Sequence, residues 1–381
     1  MFGHKQFRWV LLVHLVVASL FIAGLPVYAA EPTVEMPSEI VFMDAQSGAN
    51  FQQWFQTLAL PAAEEVLGFK IKYVVGNDAE VAERMKAWNE GEGDFAVLFP
   101  KSAAKFISEG MPLETLSPEK IPNMAKVDPV LQESSAGVPI NNKAVAYWYS
   151  TYALVYNSEF IKEPPKSWKE FYERRAEWKG KIGIVRPDAK SSASWRQPYA
   201  FLNAFCDLSK PFDPEATDFQ DAWAKLKDFY TYATLPLAPE PTNMFENFNA
   251  EDTLISLYAL DYSLWSARTG TMPPSIKAAF LEEGVDTGGQ AYFVVPSNIS
   301  EAQKQAAYKL INYLLSDDHQ IRLVSTMWQY PSTMIIDKVP QIVWEQIPTP
   351  QEARAAQIPP ERVNAQAIEW LKEHGLELVP Q

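Results

Sequence analysis

The first part of the chain alternates short apolar runs with longer segments in which apolar residues recur every three or four positions. The short runs predict β-strands, and the longer amphipathic segments predict α-helices. The predicted strands are EIVFMDA, FKIKYVVG and DFAVLF, and the predicted helices are NFQQWFQTLALPAAEEVLG, AEVAERMKAWNEG and SAAKFISEG, all between residues 38 and 110. Because strand and helix alternate, the pattern indicates an α/β fold with a mostly parallel sheet and helices on its faces.

A second pattern, GVPINNKAVAYWYSTYALVYN, covers residues 137–157 and has strand-forming residues at nearly every position. A run of this kind predicts a strand that is buried on both faces. A strand of this length can leave one domain and enter another. Pro164 and Pro165 then end the extended run, and Ser167 is a suitable N-terminal cap for the helix SWKEFYERRAEW.

Polar residues follow the predicted strands of the first part, at the end of the sheet where α/β proteins bind ligands. Asp44, Ser47 and Asn50 come after the first strand, and Ser102 comes after the third. Each position opens a helix, so that free backbone N–H groups and a short polar side chain meet there. The sequence allows two interpretations, because these residues either contact a ligand or are ordinary helix caps.

A similar group of polar residues occurs in the segment RPDAKSSASWRQ. Arg186 follows a strand pattern, Ser191 and Ser192 lie where a helix begins, and Trp195 is close to them. Together with the serines of the first part, they would offer N–H and hydroxyl donors from two domains. Such donors suit a phosphate, phosphonate, sulfonate or carboxylate group. The alternative is a capped helix with an arginine in an ion pair.

Aromatic and acidic residues give further candidates for the ligand site. Trp148 and Tyr149 are neighbours on the long predicted strand, point to opposite faces and cannot both line one cleft. Tyr258 lies close to Asp261 in LISLYALDYSLWSARTG, and Asp188 follows the strand pattern that ends before Arg186. Each aromatic residue either contacts a ligand or packs between domains. Each acid either binds a cation or occupies a turn or the surface.

The N-terminus and the net charge indicate an exported protein. Lys5 and Arg8 precede an almost wholly apolar run over 9–25, and VYA at 27–29 offers a signal-peptidase site, so 1–29 is predicted to be a cleaved signal peptide. A membrane anchor is the alternative, but the run is short for a membrane span. The formal net charge of −14 over 381 residues disfavours nucleic acid and anionic lipid as partners. We expect a soluble exported protein of two domains.

Residue types that carry catalysis are scarce in the chain. Cys206 is the only cysteine and lies in an apolar helical setting, and His319 and His374 have no partner at metal-ligand spacing. No glycine-rich phosphate loop and no GxSxG motif occur. We therefore expect a protein that is not an enzyme and needs no cofactor and no metal. Twelve tryptophans and sixteen tyrosines exceed the needs of a core and suit the walls of a small-solute site.

Four segments, in order, resemble one protein family. They are VYN followed by PP and SW with an acidic-aromatic helix, then KGKIGIVRPDA, then LISLYALDYSLWSARTG, and then AYFVVPSNISEAQKQAAYKLINYLLSDDHQ. This order resembles the bacterial extracellular solute-binding proteins of family 1. These are receptors of ABC importers, in the cluster that includes polyamine, ferric-iron and thiamine binders. The similarity extends over residues 38–335.

The resemblance implies a two-lobed periplasmic binding protein fold of type II, in which crossover strands join two α/β lobes around a ligand cleft. Lobe 1 would contain 38–140 and 290–335, and lobe 2 would contain 141–289. The proline-punctuated remainder, 336–381, is predicted to be a strap on the outside of a lobe with a helix over 364–374. The protein would act as a monomer that binds a small-molecule solute and delivers it to the transmembrane permease of an ABC importer.

The sequence departs from the polyamine receptors of this family. These generally have an aromatic residue after the first strand and an acid on the return strand, where this chain has AQSG and the run Gln290, Ala291, Tyr292. Tyr292 is the last of the residues predicted to contact the ligand. The departures favour a ligand with an anionic group. The alternative within the fold is a polyamine or thiamine-type cation bound by Asp188 or Asp261. The alternatives of other classes are a secreted two-lobed enzyme and a structural or adhesive protein.

Overall fold

The computed structural model of the protein describes residues 35–135 and 137–380. The predicted signal peptide, residues 1–29, lies outside the described residues. In the described part of the chain, no helix is both long enough and apolar enough to cross a membrane. The residues from Met36 onward belong to a single folded unit.

Strands and helices alternate in the first third of the chain, as the sequence pattern predicts. In chain order the elements are β1 (Glu39–Asp44), α1 (Ala49–Trp54), α2 (Leu60–Leu67), β2 (Lys70–Val75), α3 (Asp78–Lys86), β3 (Val97–Phe99), α4 (Ala103–Ser108), α5 (Pro129–Glu133), β4 (Ser134–Ser135) and β5 (Val138–Pro139). A π-helical turn, Phe55–Ala59, joins α1 to α2. The two helices therefore form the single amphipathic helix predicted for residues 50–68.

The rest of the chain supplies the crossover strands and most of the helices. In order they are β6 (Val145–Ser150), β7 (Tyr152–Asn157), α6 (Trp168–Arg174), β8 (Ile182–Gly183), α7 (Ala193–Phe205), α8 (Thr217–Tyr230), α9 (Pro241–Asn249), β9 (Ile255–Ala259), α10 (Leu260–Arg268), β10 (Ile276–Ala279), β11 (Gly289–Phe293), α11 (Glu301–Leu314), α12 (Asp317–Met327), β12 (Tyr330–Pro331), α13 (Gln341–Trp344), α14 (Pro350–Ala355) and α15 (Ala365–His374). Ser167 caps α6 as predicted, because its hydroxyl accepts a hydrogen bond from the Glu170 N–H at 3.0 Å.

The first lobe is built on two joined sheets. β1 lies at the centre of the parallel sheet β2-β1-β3, and β6 lies at the centre of the antiparallel sheet β11-β6-β12. An antiparallel bridge between Leu98 of β3 and Val294, the residue after β11, connects the two sheets. The return strand therefore closes the first lobe.

The second lobe is built on the sheet β10-β7-β9-β8. β7 pairs antiparallel with β10 and β9, and β8 pairs parallel with β9. β6 and β7 are consecutive in the chain but belong to different lobes, with only Thr151 between them. The chain thus passes from the first lobe to the second at Thr151, which is 1% exposed. It returns through residues 280–288, between β10 and β11.

The long strand predicted for residues 137–157 is divided in the structure. Asn141 and Asn142 have positive φ angles of 48° and 58°, so the chain turns sharply before β6 begins. β6 pairs with β11 and β12, although the sequence assigned all residues from 141 onward to the second lobe. The residue bounds of the lobes stay predictions.

Aromatic side chains fill the core of the first lobe. The ring of Phe42 lies 5.9 Å from that of Phe293, which lies 4.6 Å from Tyr147. A buried hydrogen-bond chain leads from the indole N–H of Trp54 to the Tyr147 hydroxyl at 3.3 Å, and the same hydroxyl lies 2.7 Å from Nε2 of His319. Burial lowers the pKa of His319 to about 3, so this imidazole is neutral and part of the core.

The C-terminal helix α15 covers the outside of the second lobe. Asn364 caps it through hydrogen bonds from the N–H groups of Gln366 and Ala367. The indole of Trp370 lies 4.9 Å from that of Trp223 on α8. The helix predicted for residues 364–374 is therefore present, and its apolar face is packed.

Cys206 follows α7 and is a free, buried cysteine, as its apolar setting predicts. Its thiol donates to the Leu202 carbonyl oxygen at 3.2 Å. Burial raises the pKa of this thiol to about 12, so the thiolate does not form at neutral pH.

Phe42→Ala should strongly destabilise the first lobe, because this ring is fully buried at the centre of the aromatic core. We expect the free energy of unfolding to fall by about 3–5 kcal/mol in urea denaturation. Phe160→Ala is the matched control, because Phe160 is 50% exposed and its loss should cost less than about 0.5 kcal/mol. Equal losses for the two variants would contradict this description of the core.

Candidate functional site

Asp261 lies where the two lobes meet. It stands in the first turn of α10, directly after β9, and is 8% exposed. The amide of Asn50, at the start of α1 in the first lobe, lies near its carboxylate, and the N–H groups of Asp261 and Tyr262 face it from the start of the helix. The first turn of a helix stabilises an acid because its N–H groups have no partner in the helix. Two of the predicted ligand residues, one from each lobe, thus lie close together.

The protonation of Asp261 depends on its burial. Removal of the carboxylate from water raises its pKa to about 7, and the hydrogen bonds from the two backbone N–H groups and from Asn50 oppose this increase only in part. These opposing groups carry no charge. Asp261 therefore lies in a setting that accepts a proton, or a positively charged partner, near neutral pH.

Tyrosines surround this acid. The ring of Tyr258 lies 5.4 Å from that of Tyr152 and 6.5 Å from that of Tyr262. Burial is the main cause that raises the pKa of Tyr152, Tyr262 and Tyr330, and the nearby charge of Asp261 raises each of them further. The negative charge and the ring faces together form a site that suits a cationic group.

A buried ion pair, Arg196–Asp286, lies beside the tyrosines. One guanidinium nitrogen of Arg196 donates to both carboxylate oxygens of Asp286, at 2.7 and 2.8 Å. The Tyr152 N–H donates to the same carboxylate at 3.2 Å. The guanidinium lies 5.4 Å from the centre of the Tyr152 ring and 5.2 Å from that of Trp195. Sequence reasoning missed both charged residues, although Arg196 directly follows Trp195 in the segment it selected.

The start of α7 brings four predicted residues together. Ser191 accepts a hydrogen bond from the Ala193 N–H at 3.3 Å, and its side chain lies near the Tyr258 hydroxyl. The Ser192 hydroxyl lies 3.4 Å from that of Tyr152. Trp195 is partly buried and packs edge-on at 6.3 Å from Tyr199. Ser191, Ser192, Trp195 and Tyr258 thus lie in one cluster with the buried ion pair.

The loop after β1 leads to Asn50 on the side of the first lobe. Asp44 supports this loop, because its carboxylate accepts the N–H groups of Gln46 and Ser47 at 2.9 Å each and the Tyr73 hydroxyl at 2.6 Å. The indole of Trp148 stacks on Phe51 of α1 at 5.3 Å. In the described part of the chain, the Ser47 hydroxyl and the Trp148 indole N–H are buried without a hydrogen-bond partner. Both groups remain able to bond a ligand.

Tyr149 points away from Trp148, as strand alternation requires. Its ring stacks on Tyr330 at 5.0 Å, and the Arg354 guanidinium lies 5.4 Å from its centre. Tyr292 is buried in the first lobe, and its hydroxyl donates to the carbonyl oxygens of Leu131 and Ser134 at 3.2 and 3.0 Å.

Three other predicted residues have partners in the chain itself. Ser102 caps α4 by accepting the Lys105 N–H at 3.2 Å. Its own N–H and that of Lys101 donate to the Asp78 carboxylate at 3.0 Å each, so an internal acid occupies this helix start. Arg186 and Asp188 form a half-exposed ion pair at 2.8 Å.

An open cavity of about 800 Å³ lies elsewhere, between α10, β10 and the segment around α13 and α14. Trp328, Trp344 and Arg268 are among its walls, and none of the predicted ligand residues lines it. The Arg268 guanidinium lies 5.0 Å from the centre of the Trp328 ring. The cavity thus borders the second half of α10, whereas Asp261 lies in the first turn of this helix.

The two lobes, the crossings between them and the polar cluster at their junction are features of a solute-binding protein. Residues 57–346 match the family described as Bacterial extracellular solute-binding protein, and the chain belongs to this family. The resemblance noted in the sequence and the two-lobed α/β fold are thereby confirmed. Among curated proteins, none matches the chain.

Solved structures share the fold at low sequence identity. The spermidine/putrescine ABC transporter substrate-binding protein PotD of Streptococcus pneumoniae is 14% identical with a TM-score of 0.65, covering 90% of this chain and 98% of its own. The Atu4243-GABA receptor is 16% identical with a TM-score of 0.61, covering 90% and 95%. Iron-bound HitA of Pseudomonas aeruginosa is 18% identical with a TM-score of 0.57, covering 88% and 99%.

Asp261→Asn should change how stability depends on pH. The folded pKa of about 7 lies above the ordinary value of 3.8, so the folded protein binds the proton more tightly. Wild-type stability should therefore fall as the pH rises through about 7, and the variant lacks this loss. We expect the melting temperature of Asp261→Asn, relative to wild type, to be higher at about pH 8 than at about pH 5, without ligand.

The control is Asp188→Asn, whose carboxylate side chain is 44% exposed. If the two variants behave alike, Asp261 is not the buried acid that the structure describes.

Proposed function

We propose that the protein is a periplasmic receptor that captures a small solute between its lobes and delivers it to the permease of an ABC importer. The observation that supports this most directly is that Asp261 in one lobe lies near Asn50 in the other, at the junction of the lobes. Polar groups from both lobes converge there among tyrosine rings, which is the usual composition of a small-molecule site. The solute would bridge the lobes and stabilise the closed form.

The geometry favours a solute with a positively charged group at Asp261. Asp286 already neutralises Arg196, whereas the groups that bond Asp261 are uncharged. A buried carboxylate without a counter-charge is costly, and a cation bound beside it removes that cost. Two of the proteins with a similar fold are named for spermidine/putrescine and for GABA. These compounds carry amine groups, which supports the same class of solute for this chain.

A solute with an anionic group, which the sequence favoured, is the second candidate. The hydroxyls of Ser191 and Ser192 and the start of α7 support it, because they offer donors beside the tyrosines. The start of α4 does not, because Asp78 occupies its N–H groups. A solute that carries both charges would use Asp261 and the serines together.

Binding requires the lobes to move as two bodies. The chain crosses between them at Thr151 and again through residues 280–288, so bending at these crossings opens the cleft. The solute enters the open form, and the closed form is the one that the permease recognises. No covalent step is part of this cycle.

A thermal-shift screen of the mature protein tests the proposed function. Polyamines, ω-amino acids, thiamine, phosphonates, sulfonates and organic acids are the compounds to include. A true ligand at 100 times its Kd should stabilise the folded protein by about 2.7 kcal/mol. Stoichiometric binding without product, measured by calorimetry and mass spectrometry, supports a receptor. Turnover of the stabilising compound would show an enzyme instead.

Asp261→Asn separates the two ligand classes. For a cationic solute, we expect the Kd to rise about tenfold or more, because the counter-charge is lost in a buried site. Isothermal calorimetry at a pH where the variant is fully folded gives the measurement, with Asp188→Asn as the control. A solute that binds Asp261→Asn more tightly than wild type would instead be anionic.

Trp195→Ala should weaken solute binding more than it weakens folding. The indole is partly buried beside the serines and the arginine of the cluster, so it can cover a solute. We expect a loss of about 1–3 kcal/mol in binding free energy and little change in the ligand-free melting temperature. A much lower melting temperature with normal affinity would show that Trp195 belongs to the core alone.

A further inference from the structure

The C-terminal segment of residues 340–362, named here the clasp, runs along both lobes and the return crossing between them. It contains α13 and α14 and leads to α15 on the second lobe. Its sequence, punctuated by prolines, keeps it extended between short helices. The structure shows three successive attachments along the clasp.

The first attachment is to the first lobe and centres on Arg354 of α14. Its guanidinium pairs with Asp128, whose side chain is 14% exposed. The same guanidinium lies 5.4 Å from the centre of the Tyr149 ring in β6. Tyr330, which stacks on Tyr149, donates its hydroxyl to the Pro348 carbonyl oxygen at 2.9 Å. The clasp is thus fixed to a strand that leads into the cleft.

The second attachment is to the return crossing. The Val285 N–H donates to the Ala356 carbonyl oxygen at 2.8 Å, and the Ile358 N–H donates to the Asp286 carbonyl oxygen at 2.7 Å. Asp286 is also the residue whose carboxylate holds Arg196 of the second lobe. The clasp therefore touches the crossing at the residue that anchors the polar cluster.

The third attachment is to the second lobe. The Tyr199 hydroxyl donates to the Arg362 carbonyl oxygen at 2.7 Å, and the Arg362 guanidinium donates to the Cys206 carbonyl oxygen at 2.9 Å. Both partners belong to α7 or directly follow it. This is the helix that directly follows Ser191 and Ser192 and whose first turn carries Trp195.

These attachments are close together in the chain. Only residues 355–357 separate Arg354 from Ile358, so the first-lobe and crossing contacts are joined by a short tether. When the lobes bend apart at the crossings, Asp128 and Asp286 change their relative positions. The tether must then unwind, or one of its contacts must break. Closure keeps all three attachments.

We propose that Arg354 is a positioning residue for the solute site, which stabilises the closed arrangement of the lobes through the clasp. It does not contact the solute. It holds Tyr149 and the return crossing in the positions they have when Asn50 meets Asp261. The effect on solute affinity rests on the proposed receptor function, whereas the effect on closure does not.

The test compares Arg354→Met, which removes the charge but keeps an aliphatic side chain, with Arg354→Lys, which keeps the charge. The matched control is Lys227→Met. It removes the ion pair at 3.0 Å to Glu377, which holds the C-terminal part of the chain to the second lobe alone. Asp128→Asn removes the charge of the other partner in the same ion pair. The test therefore does not depend on one variant folding well.

Small-angle X-ray scattering of the ligand-free proteins is the first measurement. We expect a larger radius of gyration for Arg354→Met and Asp128→Asn, a value near wild type for Arg354→Lys, and no change for Lys227→Met. Stopped-flow release of whichever compound stabilises the wild type is the second. We expect several-fold faster release from Arg354→Met, the factor that a partly exposed ion pair can supply.

The outcomes separate the two proposals. An unchanged radius of gyration in folded Arg354→Met and Asp128→Asn would overturn the role of the clasp, even if a solute binds. A larger radius in a protein that binds none of the screened compounds would support the clasp and contradict the receptor function. Equal effects in Lys227→Met would show that Arg354 acts only through general stability.

Discussion

The arrangement of the lobes depends on the bonds that the buried residue Asp286 makes. It lies in the return crossing, bonds the backbone of the other crossing at Tyr152, and pairs with Arg196 at the start of α7. The backbone carbonyl oxygen of Asp286 also accepts a hydrogen bond from the N–H of Ile358 in the clasp. Four separate segments therefore meet at one residue. A buried ion pair adds little net stability. Loss of one partner, however, leaves an uncompensated buried charge, so the pair strongly favours the arrangement of the segments in which both partners meet.

This pair also determines the electrostatics of the cleft. Because Arg196 and Asp286 neutralise each other, the remaining acid, Asp261, dominates the charge that a solute encounters. Both carboxylates lie near Tyr152, yet only Asp286 has a cation beside it. One acid is thus structural, and the other is available for recognition. Sequence alone does not distinguish them, since both are single aspartates that follow loop or strand patterns.

The elements of the first lobe could be predicted because strand and helix periodicities are local properties of the sequence. The break in the predicted strand at Asn141 and Asn142 and the change of sheet at Thr151 could not be predicted, because a continuous apolar run does not show which neighbours its residues pair with. Within the candidate site, the sequence selected Asn50 and Asp261 separately, but their contact joins residues far apart in the chain. It missed Asp286, which lies in a loop without periodicity. It left Ser102 as either a ligand contact or a helix cap, because it had no means of placing Asp78 beside it.

Cys206 has a consequence for experiments on lobe motion. Its thiol is buried, bonded to the Leu202 carbonyl oxygen, and protonated at neutral pH because its pKa is raised to about 12. A maleimide reacts with exposed thiolates, so cysteines introduced on the two lobe surfaces would be labelled in strong preference to the native one. Pairs of fluorophores or spin labels can therefore be attached to the native protein without first removing its own cysteine. The distance between the lobes then becomes directly measurable in solution.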